Sequence, residues 1–262
     1  MEYLESYLQV ERRSVERIEG GRYFAGLERG LMREWGRKVG GTREVELREG
    51  WWGVWEWLLM HWEKEKVRVD VKVGVISVNW SKEWIRGVLE GGWVLWRETY
   101  GGEVEVEEGV GEGLGELEIY ANEFIVDPKT GLTTGEFSRR KDGRGLWTAG
   151  DKVEIFDEVL AWWDAERDGN GKEEEGGTMT VYVGDSSTDL GCLLRADAGV
   201  VVGGNKELGE TLGRLGVNVV EGMDGEEEEE GRGKRLYRVE DFWEVLRWLE
   251  VLEREKMGGE VE

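Results

Sequence analysis

The sequence predicts an α/β protein with a parallel sheet that is covered by helices on both faces. Two observations support this fold class. Short valine-rich runs alternate with helical runs in the last third of the chain, and Ala198–Val202 is apolar at every position, as strands buried on both faces are. Such alternation is typical of parallel sheets. We therefore expect an α/β core over residues 51–262, preceded by a partial helical cap segment over residues 1–50.

The first elements are predicted to be mainly helical. Residues 2–49 carry apolar side chains three and four positions apart, interrupted by glycine pairs at 20–21 and 40–41. The aromatic run 51–66 is predicted to be a further helix, too short to cross a bilayer, which needs about 20 apolar residues. A valine- and isoleucine-rich strand is expected over 67–77, and Ser81 is placed to cap the next helix, to about residue 89.

The remaining elements combine polar loops, a hairpin and the alternating strands. Low-complexity Gly/Glu sequence at 101–116 predicts a solvated loop. Pro128 and Gly131 form a turn between the β-rich runs 117–126 and 132–137, which predicts a hairpin. The other expected elements are helices at 151–163, 187–195, 206–215 and 240–253, strands at 179–183, 198–202 and 217–220, and polar loops at 166–177 and 221–233.

Charge and composition limit the partners. The 262-residue chain has 58 acidic and 35 basic residues, and its formal net charge of −23 would repel nucleic acids and anionic membrane surfaces. A single cysteine excludes an intramolecular disulfide, and no charged-then-apolar leader opens the sequence. We therefore expect a cytoplasmic protein that acts on a small molecule, with no nucleic-acid and no membrane partner. The oligomeric state stays open.

Two aspartates follow a short β-rich run. The run 181–183 ends at Gly184, and Asp185 and Asp189 then lie four positions apart. At the carboxyl end of a parallel strand, such hard oxygen ligands suit Mg²⁺. Viewed alone, the segment fits a glycine turn followed by a helix cap better than a metal site.

Two further polar residues follow other predicted elements. Ser77 ends the strand at 67–77, and Lys152 lies at the start of the helix at 151–163. A hydroxyl, an ammonium group and a pair of metal-binding acids together describe a phosphate site, because phosphoryl transfer needs positioning and neutralisation of negative charge. Taken singly, the serine is more typical of a cap and the lysine of a solvated helix start.

The order of these motifs resembles the haloacid dehalogenase superfamily of phosphatases. Its later motifs are a strand ending in Ser or Thr, a Lys before a helix, and a strand followed by Gly-Asp-x-x-x-Asp, which correspond here to Ser77, Lys152 and residues 184–189. The longer run from Tyr182 resembles fungal members and the phosphatase domain attached to plant thiaminase-like proteins. The Ala-Asn-Glu segment at 121–123 is similar to that of phosphoserine-phosphatase-like members.

The resemblance implies a Rossmann-like core and a Mg²⁺-dependent phosphomonoesterase that acts on a small phosphorylated metabolite through an aspartyl-phosphate. It implies that Ser77 hydrogen-bonds the transferring phosphoryl group, that Asn79 assists it, and that Lys152 offsets its charge. Asp185 and Asp189 would hold Mg²⁺ directly or through water.

The family's first motif has no counterpart in this sequence. That motif is an apolar strand ending in Asp-x-Asp-x-Thr, which supplies the nucleophile, whereas Asp70, the nearest candidate, is followed two positions later by Lys72. Metal ligands serve no reaction without the nucleophile, so a chain that keeps the ligands and lacks the nucleophile is inconsistent as an enzyme. We therefore expect an N-terminally truncated chain that is inactive alone. The alternative is a pseudoenzyme, a non-catalytic module that binds a phosphate ligand or a protein.

Three other features have simpler explanations. Residues 164–175 match the spacing of a calcium loop, but Gly171 stands where an apolar residue is required, so we predict a solvated acidic loop. His61 lies among tryptophans without a His or Cys cluster, and Cys192 lies in an apolar helix without a nearby His. Both are predicted to be buried structural residues.

Overall fold

The computed structural model describes residues 8–42, 44–62, 71–100, 110–169, 179–223 and 235–256. These residues form a mixed α/β protein with parallel strand pairing in two sheets. The chain divides into two compact units. The first unit comprises the residues up to Leu47 together with Val73–Ile155, and the second comprises Arg48–Lys72 with the residues from Phe156 onward. The predicted division into a cap and a core near residue 50 stays a prediction.

The helices and strands are numbered in chain order. The helices are α1 (Leu8–Gly21), α2 (Leu31–Gly40), α3 (Trp51–Trp62), α4 (Lys82–Tyr100), α5 (Val110–Glu116), α6 (Ala149–Gly169), α7 (Leu190–Arg195), α8 (Lys206–Leu215) and α9 (Phe242–Lys256), and a single 3-10 turn (Ser187–Asp189) precedes α7. The strands are β1 (Ala25–Glu28), β2 (Gly74–Ile76), β3 (Glu118–Tyr120), β4 (Phe124–Val126), β5 (Leu132–Phe137), β6 (Val181–Gly184), β7 (Ala198–Val202), β8 (Val220–Glu221) and β9 (Arg235–Val239).

In the first unit, α2 and α4 pack in backbone contact because glycines line the surface where they meet. A Cβ placed on Gly91 of α4 would lie 2.0 Å from the carbonyl oxygen of Arg37, and one on Gly40 of α2 would lie 2.3 Å from a backbone oxygen of α4. Glu90 of α4 also accepts hydrogen bonds from Arg33 and Arg37. Burial acts to raise the pKa of Glu90, but the two guanidinium groups outweigh it and hold the pKa below its usual value.

The strands of the first unit form two separate sheets. An antiparallel sheet has the order β1-β5-β4, and β2 pairs with β3 in parallel. The predicted hairpin is confirmed for β4 and β5, whose turn is closed by Asp127 N donating to the carbonyl oxygen of Leu132 at 2.9 Å. β3 was expected in the same hairpin but pairs with β2. β1 was predicted as helix; it is fixed on β5 where Leu27 N donates to Oγ1 of Thr133 at 3.0 Å.

The second unit contains the parallel sheet that the sequence predicts. Its strand order is β6-β7-β9-β8, and all of its pairings are parallel. Every residue of β7 is buried. β9 was not predicted, although it lies between β7 and β8 and pairs with both. Buried apolar side chains from the helices and the sheet form the core: Val54, Val200, Val202, Met223, Val239 and Val245.

Other predicted boundaries are corrected by the structure. Residues 110–116 form a helix where a loop was predicted, because Leu114 is buried to 1% exposure and anchors the segment. α6 continues to Gly169, so the first residues of the polar loop predicted at 166–177, and the beginning of the calcium-loop match, are helical. Of the predicted strand at 67–77, only β2 is observed as strand. Four stretches that carry predictions lie outside the described residues: the end of the predicted helix and start of the predicted strand at 63–70, and parts of the three predicted polar loops at 101–109, 170–178 and 224–234.

The aromatic helix α3 is a packed element of the second unit. His61 is 8% exposed, its ring stacks on Trp57 at 4.0 Å, and its Nε2 lies 2.8 Å from a carboxylate oxygen of Glu253 on α9. Cys192 is also completely buried. Both residues are therefore buried, as predicted. None of the described helices combines the length and the hydropathy needed to span a bilayer.

Candidate functional site

The predicted site residues belong to two units. Ser77, Asn79 and Lys152 lie in the first, whereas Asp185 and Asp189 lie in the second. Ser77 and Asn79 are in the loop that follows β2, Lys152 is in the first turn of α6, and the two aspartates follow β6. Each unit has its own geometry and is described by itself.

The loop after β2 is held in one conformation by its own polar side chains. Ser77 N donates to the carbonyl oxygen of Tyr120 at 2.9 Å, which continues the β2-β3 pairing by one residue. Asn79 N donates to Oγ of Ser77 at 3.2 Å, and Ser81 N donates to Oδ1 of Asn79 at 3.1 Å. Among the described residues both side chains act as acceptors only, so toward these residues the Ser77 hydroxyl hydrogen and the Asn79 Nδ2 hydrogens are available to donate to a ligand.

Ser81 caps α4 as predicted and connects this loop to the half-buried carboxylate of Glu123. Its Oγ accepts a hydrogen bond from Trp84 N at 3.2 Å and donates to Glu123 at 3.1 Å. The Glu123 carboxylate also accepts from Glu83 N and Phe124 N. Ser81 is completely buried, so the start of α4 is fixed relative to the loop that bears Ser77 and Asn79.

Asn122 joins the Ser77 loop to the segment that leads into α6. Its Nδ2 donates to the carbonyl oxygens of Asn79 at 3.0 Å and Leu146 at 2.7 Å, and its Oδ1 accepts from Leu146 N at 2.9 Å. Asn122 is 4% exposed. The sequence showed Asn122 only as part of a family-like segment, and its bridging role was missed because its partners are distant in sequence. Its buried amide holds the end of β2 and the approach to α6 in fixed positions.

Lys152 is buried at the start of α6. Its exposed fraction is 5%, which excludes the alternative of a solvated helix-start lysine. Thr148 caps this helix, since its Oγ1 accepts a hydrogen bond from Asp151 N at 3.2 Å, and the Asp151 carboxylate accepts in return from Thr148 N at 2.9 Å. An ammonium group is stable in a buried position only where acceptors lie close to it, so the surroundings of Lys152 are polar.

In the second unit, the Asp189 carboxylate organises the loop after β6. It is 5% exposed and forms a capping box with Ser186, whose backbone N donates at 3.1 Å and whose Oγ donates at 2.6 Å. Tyr182 donates its hydroxyl hydrogen to the other carboxylate oxygen at 2.9 Å. Burial, and then the Asp189 charge, raise the pKa of Tyr182 far above its usual value. Asp189 therefore has the cap role that the sequence left open.

Asp185, in contrast, presents its carboxylate to solvent. Its side chain is 51% exposed and accepts a hydrogen bond from Nη2 of Arg48 at 2.7 Å. Arg48 itself lies against Gly203, where a Cβ would come within 2.6 Å of its Nη1. An exposed ion pair of this kind contributes at most about 1 kcal/mol, so a bound cation could displace the arginine. Arg48 was not predicted as a site residue, because nothing local marks a partner 137 positions away.

These two aspartates fit a magnesium site unequally. Mg²⁺ is typically held by one or two carboxylates and keeps several waters, so the accessible Asp185 suits a direct ligand. Both oxygens of Asp189 already accept hydrogen bonds, which suits a residue that positions the loop or acts through water. Within the described ranges, no cluster of three or more acidic, histidine or cysteine side chains could hold a metal ion.

The comparisons with known proteins give two distant relatives. The "Bifunctional TH2 protein, mitochondrial" of Arabidopsis thaliana is 26% identical over 152 residues, which are 58% of this chain and 19% of that protein. A CTO1 family protein of Schizosaccharomyces pombe is 26% identical over 207 residues, 79% of this chain and 62% of that protein. The chain thus spans less than two thirds of either relative. No family model and no solved structure matches it.

Proposed function

We propose that this chain is a haloacid-dehalogenase-like domain with a Rossmann-like core that binds the phosphate of a small phosphorylated metabolite. The observation that carries the proposal is the buried Asn122 amide, which connects the Ser77 and Asn79 loop to the segment leading into the helix of Lys152. The hydroxyl and amide donors thereby lie at the end of a parallel strand, where such folds bind ligands.

Each proposed residue has a separate role. Ser77 and Asn79 donate hydrogen bonds to phosphate oxygens, and Lys152 neutralises their charge. Asp185 is the proposed ligand of Mg²⁺, and Asp189 keeps its loop in position. Mg²⁺, when bound, would supply positive charge beside the loop after β6. In chains of this kind that also carry an aspartate nucleophile, we propose phosphomonoester hydrolysis through an aspartyl-phosphate.

A second candidate function is a non-catalytic phosphate-binding module. It is favoured by one observation: no two aspartates lie two positions apart anywhere in the 262 residues, so the Asp-x-Asp pair that supplies the nucleophile is absent from them. The two candidates share the phosphate site and differ only in turnover. The cytoplasmic location of this chain stays a prediction. The name of the plant relative places that protein in mitochondria.

The phosphate site is tested by titrating the folded chain with inorganic phosphate in the presence of Mg²⁺, followed by isothermal titration calorimetry. We expect Ser77→Ala and Lys152→Met each to weaken phosphate binding by about tenfold or more, because charge-assisted hydrogen bonds contribute about 1.5–3 kcal/mol. Lys206→Met is the matched control, since the Lys206 side chain is 90% exposed on α8. Absence of phosphate binding by the unmodified chain, or an equal effect of the control, would contradict the proposal.

A further inference from the structure

An open pocket of about 350 Å³ adjoins the loop that bears Ser77 and Asn79. It lies wholly within the first unit. Three of its lining residues come from the N-terminal part of the chain and three from the loop after β2 and the start of α4: Phe24, Met32, Trp35, Asn79, Trp80 and Trp84. Its volume is within the range of small-molecule sites, which are about 300–1,000 Å³.

The walls of this pocket are aromatic and leave ring surface uncovered. Trp35 and Trp80 are 42% and 43% exposed, which is unusual for the largest apolar side chain. Trp80 is not loosely attached, because its ring meets Phe24 edge to face with centroids 5.6 Å apart, and Phe24 in turn lies 4.8 Å from Phe124 of the core. The pocket therefore presents supported aromatic faces to solvent.

The opposite wall is fixed by the close packing of α2 and α4. A Cβ on Gly36 would lie 2.3 Å from the carbonyl oxygen of Trp84, so the helices that carry Trp35 and Trp84 meet backbone to backbone at this level. Met32, one turn earlier on α2, is 9% exposed and belongs to the unit's core. Such a wall is preformed, and little entropy is lost when a ligand enters.

The polar member of the lining is Asn79, which is also a proposed phosphate ligand. We propose that this pocket receives a planar aromatic group, and that the substrate class is therefore aryl or heteroaryl phosphate esters. This inference rests on the proposed phosphate site. Aromatic groups pair favourably with Trp and Phe rings at centroid distances of 4.5–7 Å, whereas the hydroxyl groups of a sugar phosphate would be desolvated here with few partners.

Calorimetric titration with four probes tests the inference: inorganic phosphate, glycerol 1-phosphate, 1-naphthyl phosphate and 1-naphthol. We expect 1-naphthyl phosphate to bind about tenfold or more tightly than either non-aromatic phosphate, from ring pairing and apolar burial. Trp80→Ala and Trp35→Ala should remove this difference and leave the affinity for inorganic phosphate unchanged, while Trp80→Phe retains part of it. Trp162→Ala, on an equally exposed tryptophan of the second unit, is the matched control.

The outcomes separate the pocket from the phosphate site. Equal binding of 1-naphthyl phosphate and glycerol 1-phosphate, with inorganic phosphate bound, would overturn the aromatic pocket and leave the proposed function standing. Binding of 1-naphthol without any binding of inorganic phosphate would contradict the proposed function, and with it the assignment to phosphate esters. A loss with Trp162→Ala as large as with Trp80→Ala would also overturn the inference.

Discussion

The side-chain amide of Asn122 forms hydrogen bonds to backbone groups in two segments, at Asn79 and at Leu146. Replacing it by alanine would remove the side-chain partner of the Leu146 N–H and of the Leu146 carbonyl oxygen in a buried position, whereas the Asn79 carbonyl oxygen would keep its hydrogen bond from the Asn122 backbone N at 3.2 Å. An unsatisfied buried polar group costs about 1–3 kcal/mol. We therefore expect Asn122→Ala to lower the free energy of unfolding by about 2–3 kcal/mol and to weaken phosphate binding as well.

The measurement combines urea unfolding with phosphate titration of the same preparation. Asn205→Ala is the control: Asn205 caps α8 through Leu208 N at 3.1 Å, and its loss should cost about 1 kcal/mol without changing phosphate affinity. An Asn122→Ala chain that retains full phosphate affinity would show that the amide supports the fold but does not position the site.

The sequence indicates candidate site residues that stand directly beside a recognisable helix or strand. It does not indicate residues whose partners are distant in sequence. Ser77, Asn79 and Lys152 follow or begin elements whose local pattern is clear, and the structure places them as expected along the chain. Arg48 meets Asp185 across 137 positions, and Asn122 bridges segments on either side of it. Such contacts depend on tertiary packing, which leaves no periodicity in the sequence.

Among the elements, the contact between α2 and α4 depends on glycines, of which only Gly40 has a local signal in the sequence, as part of a pair that interrupts a helical run. Because a Cβ on Gly91 would lie 2.0 Å from the Arg37 carbonyl oxygen, Gly91→Ala must push the helices apart. We expect a loss of about 1–3 kcal/mol in unfolding free energy. Gly213→Ala in α8, where nothing lies within 4 Å, should instead gain about 0.5–1 kcal/mol. Urea unfolding of both variants checks this, and equal effects would contradict it.

The packing of α3 on α9 predicts a pH dependence. The hydrogen bond from His61, with a second from Trp57, holds the pKa of Glu253 below its usual value of 4.5. A carboxyl group with a lowered pKa contributes stability that is present above the unfolded value and is lost as the pH falls through the folded value. We expect Glu253→Gln to cost about 1 kcal/mol at pH 7, and this cost to diminish as the pH falls below 4.5 and through the lower folded pKa.

Unfolding free energies at several pH values provide the measurement. Glu250→Gln, on an exposed position of the same helix, serves as the control and should have little effect at any pH. A cost of Glu253→Gln that stays constant from pH 7 down to the lowest pH at which the chain remains folded would show that the carboxylate charge contributes nothing to the contact between α3 and α9.

Elements with strong local patterns were predicted well. β7 and α8 have the predicted bounds, since one is a continuous apolar run and the other starts at the capping Asn205. β1 and β9 were missed, because β1 contains Gly26 with φ of 81° and β9 carries two arginines among its five residues and follows an acidic segment. Their places come from pairing with β5 and β7, which are distant in sequence.

At the scale of the whole molecule, the sequence predicts that the second unit contains a parallel sheet, but it does not predict the order of the strands in that sheet. The last strand, β9, lies inside the sheet and β8 at its edge, and this order is set by packing of the closing segment. The division into two units is a property of long-range contacts and has no counterpart in composition.

Turnover is the property that depends on the whole chain, because it needs a nucleophile in addition to the phosphate and metal ligands. Since the 262 residues contain no pair of aspartates two positions apart, we expect no hydrolysis of p-nitrophenyl phosphate with Mg²⁺ above the uncatalysed rate, even where phosphate binds. Colorimetric assay of the preparation used for titration checks this, with Asp185→Asn in parallel. Robust hydrolysis that Asp185→Asn abolishes would show that a residue other than an Asp-x-Asp aspartate serves as nucleophile, and would favour the enzyme over the binding module.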